Sequence, residues 1–117
     1  MLAVASGNAE ALRPLIADDY VLWAHARPPL GGIEATIEAM KVAMQQFRIE
    51  QHFEPLETVV TGDWAFERGI ETMTVTPMDG GPSRMMSQRA LLILRRGSDA
   101  RWRYARGMTN GLPVSTA

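Results

Sequence analysis

The clearest pattern in the chain is an apolar stripe with the period of an α-helix. Ile33, Ile37, Met40, Met44 and Phe47 follow one another at intervals of four and three residues. Such spacing places the five side chains on one side of a helix, and charged or polar residues occupy the opposite side. The pattern predicts a helix from about residue 33 to residue 47 with a single buried face.

A shorter helix is predicted near the start of the chain. Asn8 is a good N-cap. Apolar residues follow it at helical spacing: Leu12, Leu15, Ile16. Pro14 interrupts them, and a proline inside a helix removes a backbone hydrogen bond at a cost of about 3 kcal/mol. We therefore expect a short, irregular helix that ends at Asp18 and Asp19.

Most of the remaining chain has the character of β-strands. A first strand is predicted from Tyr20 to Ala24, and a loop rich in proline and glycine follows it from residue 25 to residue 32. Longer strands are predicted over residues 48–60, 64–76, 84–96 and 101–109. Short glycine-containing turns separate these four strands, as is typical of an antiparallel meander. Pro55 cannot donate a ladder hydrogen bond, so it predicts a bulge or an edge position.

Both faces of the last hairpin are apolar. If Arg96 lies opposite Arg101, one face carries large residues that suit a subunit interface: Leu91, Trp102, Tyr104, Arg106. The other face carries the small residues Ala90, Ala105 and Gly107, which suit the wall of a pocket. A sheet packed on helices should have one face in water, so two apolar faces predict a second burial surface.

Each side of the strand predicted at residues 64–76 carries charged residues, so a charged side chain points into the fold whichever side is buried. Glu67 and Glu71 share one side with Ala65, and Arg68 lies on the other side. Two interpretations stay open. The charged groups lie near strand ends and reach water, or they line a polar cavity that accepts a ligand.

Composition places the chain among ordinary globular proteins. It has 117 residues, of which 46% are hydrophobic and 21% charged, so a single domain spanning residues 1–117 is expected. A net charge of -1 argues against a nucleic-acid partner. The absence of cysteine excludes disulfides and thiolate metal sites. No run reaches the roughly 20 apolar residues of a membrane helix, and no signal peptide is recognisable, so a cytoplasmic protein is expected.

Four segments carry a resemblance to a known family. They are IADD at residues 16–19, GIEATI at 32–37, GDWAF at 62–66 and WRYARGMTN at 102–110. In this order the chain resembles the SnoaL-like branch of the nuclear transport factor 2-like superfamily, whose members are similar to ketosteroid isomerase. The resemblance implies an α+β fold: a cone-shaped, curved antiparallel sheet wrapped around N-terminal helices, as in a cystatin-like α+β barrel. It also implies a pocket between helices and sheet, and a homodimer formed through the outer sheet face.

The chain departs from that family at positions that bear on catalysis. Ala24 stands where isomerase relatives have a carboxylate base, and Gly107 stands where SnoaL-like relatives commonly have an acid. Residues 84–96 contain no acid to hold an oxyanion. Relatives also have a longer first helix, so we expect this helix to be shortened or to lie partly outside the sequence.

Three residues are weak candidates for catalysis. His25 follows the first strand and could transfer protons near neutral pH, although its position beside a proline-rich turn favours a loop histidine without a catalytic role. Glu67 and Glu71 lie roughly 13 Å apart by strand rise, too far for a paired-carboxylate glycosidase, but either could act alone as a base. His52 is interpreted as solvated surface. Since the two histidines lack the spacing of a metal pair, no metal site is expected. No cofactor is expected for the protein either.

Six residues are candidates for contacts with a substrate or ligand: Tyr20, Trp23, Gln88, Ala105, Gly107, Thr109. Two functions are consistent with them. The first is a dimeric domain that binds a small hydrophobic molecule in its pocket. The alternative is a cofactor-independent isomerase, cyclase or dehydratase that acts on a hydrophobic carbonyl compound by general acid–base catalysis.

Overall fold

The protein is an α+β structure in which one sheet packs against two helical segments. A computed structural model describes residues 8–112. A 3₁₀ helix, Ala9–Leu15, precedes the α-helix α1, Ile33–Gln46. Six strands complete the fold: β1 (Ile16–Trp23), β2 (Leu30–Gly31), β3 (Phe47–Thr61), β4 (Trp64–Pro77), β5 (Arg84–Arg96), β6 (Trp102–Gly111). Their order in the sheet is β2-β1-β6-β5-β4-β3, and all neighbours are antiparallel except β1 and β6. The predicted α+β class is confirmed.

The first helix is short and irregular, as predicted. Asn8 is its N-cap, and its side-chain oxygen accepts a hydrogen bond from the Glu10 backbone N–H at 3.1 Å. Pro14 lies inside this 3₁₀ helix. The predicted end at Asp18 and Asp19 is wrong, because the chain is already extended at Ile16, and both aspartates belong to β1.

Helix α1 buries one face, as the apolar stripe predicts. Ile33, Thr36 and Ile37 are buried, and Met40 and Met44 pack against the core from partly buried positions. Gly32 precedes the helix at φ 90°, a conformation that glycine adopts without strain. The helix ends at Gln46, so that Phe47 begins β3 instead of closing the helix.

The long hairpin of β3 and β4 contains the irregularity that Pro55 predicts. The pairing register shifts between Pro55 and Glu57, and β3 is also the edge strand of the sheet. Gly69 lies opposite Pro55, where a Cβ atom would collide with the Glu54 carbonyl group. Both predictions for Pro55, a bulge and an edge strand, are therefore met at one place.

The register predicted for the last hairpin is wrong. Arg96 pairs with Trp102 instead of Arg101, and a second shift lies between Ile93 and Leu94. Leu94 pairs with Tyr104 and Ile93 with Arg106, so Ala105 is the additional residue of a β-bulge. The bulge turns Trp102 and Tyr104 to one side of the sheet and Arg106 to the other. Tyr104 belongs to the hydrophobic core, and the predicted interface of four residues is split between two faces.

The short strand β2 was not predicted. It lies inside the segment assigned to a loop, and it pairs Leu30 with Leu22 and Gly31 with Val21. β1 is also longer than predicted, since it begins at Ile16. Two residues of extended chain between prolines and glycines give too short a pattern to be recognised in the sequence.

The core defines the two faces of the sheet. We call the side that packs against α1 the inner face, and it carries Tyr20, Phe53, Ala90 and Leu92, all in one buried cluster with Ile37. We call the opposite side the outer face. No helix within residues 8–112 is both long and apolar enough to cross a membrane.

Candidate functional site

A carboxylate is buried on the inner face where β4 and β5 pair. Glu71 is 8% exposed and lies directly opposite Gln88 in the register. The Gln88 side-chain Nε2 donates a hydrogen bond to Glu71 Oε1 at 2.7 Å. The strand alternation that sends Ala65 and Gly69 inward also sends Glu71 inward, which agrees with the prediction that β4 carries charge into the fold.

Tyr20 extends from β1 across the inner face, and its hydroxyl group lies beside Gly107 on β6. It is 8% exposed, and a Cβ atom built at Gly107 would lie 2.9 Å from its hydroxyl oxygen. Burial, with the nearby Glu71 carboxylate and Tyr104, raises the pKa of Tyr20 to about 12. The phenol is therefore protonated at neutral pH. Its hydroxyl occupies the space that a side chain at position 107 would need.

His25 and Thr109 lie at the neighbouring end of β6. The His25 backbone N–H donates to Thr109 Oγ1 at 3.0 Å, and the Gly111 N–H donates to His25 Nδ1 at 3.1 Å. Since Nδ1 accepts a hydrogen bond, it carries no proton in this arrangement. Gly111 in turn pairs with Gln88 across β5 and β6, so the imidazole lies at the same end of the sheet as the Glu71–Gln88 pair.

A second acid and phenol lie further along the inner face. Glu67 is partly buried and accepts a hydrogen bond from Thr58 Oγ1 at 3.2 Å. Burial is the main cause that raises the pKa of Tyr104, and the Glu67 carboxylate adds to it. Together, Tyr20, Glu71, Gln88, Thr109 and His25 form what we call the inner-face site, and Glu67 lies beyond it.

The structure thus brings together most of the residues proposed from the sequence, but not all of them. Trp23 lies on the outer face, because β1 alternates and Tyr20 points inward. Ala105 is fully buried at the bulge. His52 is exposed, in agreement with its interpretation as surface. The link between His25 and Gly111 was missed, and no sequence signal indicated it, since the two residues are 86 positions apart.

Among residues 8–112, two cavities at other places in the fold are large enough for a small molecule. One, of about 420 Å³, is an apolar groove on the outer face. Its lining residues come from β1, β5 and β6: Val21, Trp23, Leu91, Ile93, Arg106, Gly107, Met108. Neither cavity is lined by His25, Glu67 or Glu71. On the helix side of the sheet, where a pocket is predicted, Met40 and Met44 pack against the core.

The other cavity, of about 510 Å³, is a charged cleft beside the turn between β5 and β6. Arg95 pairs with Asp19 at 2.6 Å and Arg103 pairs with Asp99 at 2.6 Å. Hydrogen bonds from these guanidinium groups hold the pKa of both carboxyl groups below the usual range. The charged side chains that line this cleft are therefore largely paired with one another.

The described part of the chain holds no group of three or more histidine, aspartate and glutamate side chains placed to bind a metal ion. The polar atoms of the inner-face site are instead a carboxylate, an amide, a phenol, an imidazole and a hydroxyl. Such groups hold organic molecules by hydrogen bonds, and they transfer protons.

Comparison with known structures supports the fold assignment. A conserved protein from Planctomyces limnophilus has 29% sequence identity and a TM-score of 0.81, with 91% of this chain and 82% of that chain covered. A ketosteroid isomerase-like protein from Erwinia carotovora atroseptica has 26% identity and a TM-score of 0.77, with 92% and 84% covered. A nuclear transport factor 2-like superfamily protein from Salmonella enterica has 16% identity and a TM-score of 0.81, with 97% and 82% covered. The Salmonella protein and this chain are similar in fold.

Sequence comparison assigns the family. No curated protein sequence matches the chain significantly. The family model described as the SnoaL-like domain matches residues 1–105. That match covers most of the chain, and the resemblance stated from four short segments is confirmed. The chain belongs to the SnoaL-like domain family, within the nuclear transport factor 2-like and ketosteroid isomerase-like superfamily.

Proposed function

We propose that the protein is a binding domain for a small hydrophobic molecule, which it holds at the inner-face site. One observation carries the proposal: Glu71, 8% exposed, is hydrogen-bonded to Gln88 within an apolar part of the sheet. Burying an ionised carboxylate costs several kcal/mol unless other groups compensate. A residue that is retained in spite of such a cost in stability typically has a function.

The surroundings of Glu71 support a ligand with an apolar body and a polar group. Ala90 and Leu92, both buried, lie beside Gln88 on β5 and give this part of the sheet an apolar surface. The phenol of Tyr20 and the carboxylate of Glu71 could each form a hydrogen bond with a polar ligand group. Gln88 is partly exposed, so the site borders solvent at this end.

A thermal-shift series tests the proposal. Ketones with steroid-like and polyketide-like skeletons should raise the melting temperature of the wild-type protein. In ¹⁵N-labelled protein, the side-chain amide resonance of Gln88 should then shift, whereas the backbone amides of Val21 and Met108 report on the outer groove. Binding without a shift at Gln88, or shifts confined to the outer groove, would contradict the proposal.

A second function, acid–base catalysis, is favoured by one feature of the same site. The inner-face site holds a carboxylate, Glu71, and a phenol, Tyr20, whose pKa is raised first by burial and then by the Glu71 charge. A carbonyl compound between them could lose an α-proton to Glu71, while the Tyr20 hydroxyl donates a hydrogen bond to the developing enolate oxygen. This reaction needs no cofactor.

Hydrogen exchange in D₂O tests the catalytic alternative. If it holds, the wild-type protein should accelerate the loss of the α-proton signals of β-tetralone in ¹H spectra. Glu71→Gln should remove the acceleration, and Glu38→Gln, which removes a charge from the exposed side of α1, should leave it unchanged. Equal exchange with and without the wild-type protein would reject catalysis of this substrate type.

We also propose that two copies associate through the outer face. The groove there is apolar, and the side chains that line it are well exposed for their type: Trp23 55%, Leu91 42%, Met108 45%. A continuous apolar surface of this kind is typical of an interface. The proposed contact differs from the one expected from the sequence, because Tyr104 lies in the core.

Sedimentation equilibrium tests the dimer. Leu91→Arg places a cation beside Arg68, its partner on β4, and should convert a dimer into a monomer. Met85→Arg is the matched control, since Met85 is exposed on the same strand outside the groove. A wild-type protein that is monomeric at every concentration tested would overturn the proposed dimer.

A further inference from the structure

The outer groove, which residues of β1, β5 and β6 line, combines apolar walls with a cation. Its volume of about 420 Å³ suits a small molecule. Among the residues that line it in the described chain, Arg106 alone is charged. Arg106 lies between apolar neighbours, since it pairs with Val21 on β1 and with Ile93 on β5. An apolar groove with a single cation suits a ligand that has an apolar body and one negative charge.

The charge of Arg106 is only weakly compensated within the protein. Its Nη1 donates hydrogen bonds to two backbone carbonyl oxygens, those of Asp19 at 2.8 Å and Ala105 at 2.6 Å. The Asp19 carboxylate lies 3.7 Å from Arg106 Nη2, and both of its oxygens accept hydrogen bonds from Arg95, at 2.6 and 3.2 Å. Two guanidinium groups therefore share this carboxylate, and Arg95 holds it more closely.

One edge of the Arg106 guanidinium group is available to a ligand. Within residues 8–112, its Nε and Nη2 groups form no hydrogen bond. These two nitrogens form the edge with which an arginine binds a carboxylate through two parallel hydrogen bonds. Arg13 uses the same edge for Glu10, to which Nε donates at 2.9 Å and Nη2 at 3.3 Å. The Arg106 side chain is 44% exposed, so a molecule in the groove can reach this edge.

A second arginine extends the positive charge along the outer face. Arg106 lies opposite Ile93, and Arg89 precedes Ile93 on the same face of β5. Leu91 lies between them and lines the groove. Arg89 donates its Nε–H to Asn110 Oδ1 at 3.0 Å, and it takes part in no ion pair within the described chain. Both arginines therefore favour an anion over a neutral ligand in the groove.

We propose that the outer groove binds a small carboxylic acid with an apolar body, in its ionised form. Nε and Nη2 of Arg106 donate two hydrogen bonds to the carboxylate, and the apolar body lies against Trp23, Leu91 and Met108. This site is separate from the inner-face site, so the inference goes beyond the function proposed there. A second copy that packs on the rim of the groove would cover the bound acid, so the acid is compatible with the proposed dimer.

Calorimetric titration with matched acids and alcohols tests the inference. The pairs are octanoic acid with octanol, phenylbutyric acid with phenylbutanol, and naphthylacetic acid with naphthylethanol, so each acid is compared with an alcohol of similar shape. For the pair that fits best, the acid should bind the wild-type protein at neutral pH about tenfold or more tightly than the alcohol. In ¹⁵N-labelled protein, the acid should shift the backbone amide resonances of Val21 and Met108 and leave the side-chain amide of Gln88 unchanged.

Two variants locate the carboxylate of the ligand. Arg106→Gln should remove the preference for the acid, because the neutral side chain lacks both the charge and the guanidinium edge. Met108→Glu places a carboxylate in the groove beside Arg106, at a position that is 45% exposed, and should also remove the preference. Met85→Glu adds the same charge at an exposed position outside the groove, and Arg101→Gln removes an exposed arginine outside it. Both control variants should keep the preference.

The outcomes separate this inference from the other proposals. Failure of the acids to bind, or equal affinities of acids and alcohols, overturns it while the inner-face function stands. A preference that survives in Arg106→Gln and Met108→Glu, or resonance shifts at Gln88 instead of Val21 and Met108, also overturns it. A dimer that dissociates at saturating acid would show that acid and second copy compete, which contradicts their compatibility. The wild-type comparison needs no variant, so it remains decisive should Arg106→Gln fail to fold.

Discussion

The inner face of the sheet buries a carboxylate and a phenol, whereas the outer face exposes a tryptophan, a leucine and a methionine. Glu71 and Tyr20 are each 8% exposed, against 42–55% for Leu91, Met108 and Trp23. Globular proteins mostly show the opposite distribution. Two of the proposals above give each surface a second molecule as its partner: a ligand for the polar groups inside, and another copy of the chain for the apolar groups outside.

The two faces also differ in how they are built. On the inner face, α1 packs onto the sheet, and the residues there form one buried cluster. On the outer face, the described chain places no helix over the groove formed by β1, β5 and β6. Substitutions should therefore affect folding when they lie on the inner face and association when they lie on the outer face. Three predictions concern the inner face, and a fourth concerns the exposed surface.

The largest effect on stability is expected from Phe53→Ala. Phe53 is 2% exposed, and its removal leaves a cavity between β3 and the core, which should lower the free energy of unfolding by about 3–5 kcal/mol. Urea denaturation measures the change. Leu56→Ala on the same strand is the control, because Leu56 is 55% exposed and should lose less than about 1 kcal/mol. Similar losses in both variants would contradict the assignment of the inner face.

Alkaline pH should act through Tyr20. Its pKa is raised from 10 to about 12 on folding, so the stability that the neutral phenol provides is complete below pH 10 and is lost as the pH rises through 12. The loss amounts to about 3 kcal/mol. Tyr20→Phe should flatten the fall in the free energy of unfolding between these pH values. Absorbance at 295 nm should show one tyrosine that ionises only near pH 12, and ionisation of all tyrosines near pH 10 would contradict the burial of Tyr20.

Gly107→Ala should have a smaller effect. The new Cβ atom would lie 2.9 Å from the Tyr20 hydroxyl and 3.1 Å from Leu22 Cδ1, so buried side chains must move, at a cost of about 1–3 kcal/mol. Gly31→Ala is the control, since its Cβ atom meets nothing within 4 Å. Thermal denaturation compares the two variants, and an equal melting temperature would show that Tyr20 moves without cost.

The smallest effect is expected from the exposed ion pairs that Glu10 forms with Arg13 and Lys41. Hydrogen bonds from Arg13 and Lys41 lower the pKa of Glu10 from 4.5 to about 2. A lowered pKa in the folded state gives stability that is complete above pH 4.5 and is lost as the pH falls towards 2. Glu10→Gln should make the acid denaturation curve slightly flatter in this range. High salt should reduce the difference further, because exposed pairs are screened.

Much of the fold could be predicted from local patterns. The stripe from Ile33 to Phe47 predicts α1 to within one residue, and the predicted strand at residues 84–96 matches β5 at both ends. Pro55 marks the irregularity in β3 because a missing N–H is a property of the residue itself. Errors occurred where the pattern was short or interrupted, as at Ile16, where β1 begins, and at β2.

The candidate site could be predicted only in part. Tyr20, Gln88 and Thr109 are proposed individually, and alternation along β4 groups Glu67 with Glu71 on one side without deciding which side of the strand turns inward. Their contacts depend on the pairing register, which a single additional residue changes. Ala105 is that residue: its bulge reverses the faces of Trp102 and Tyr104 relative to Arg106, and nothing in the local sequence distinguishes it from an ordinary strand alanine.

The sequence by itself determined the kinds of elements, their order and the positions of the turns, because helix and strand periods and turn residues act over a few neighbouring positions. The tertiary structure decided which acid meets which amide, that His25 accepts a hydrogen bond from Gly111, and which apolar residues stay uncovered. Those contacts join residues that are distant in the chain, so they depend on strand register and on the packing of α1, and no local pattern encodes either.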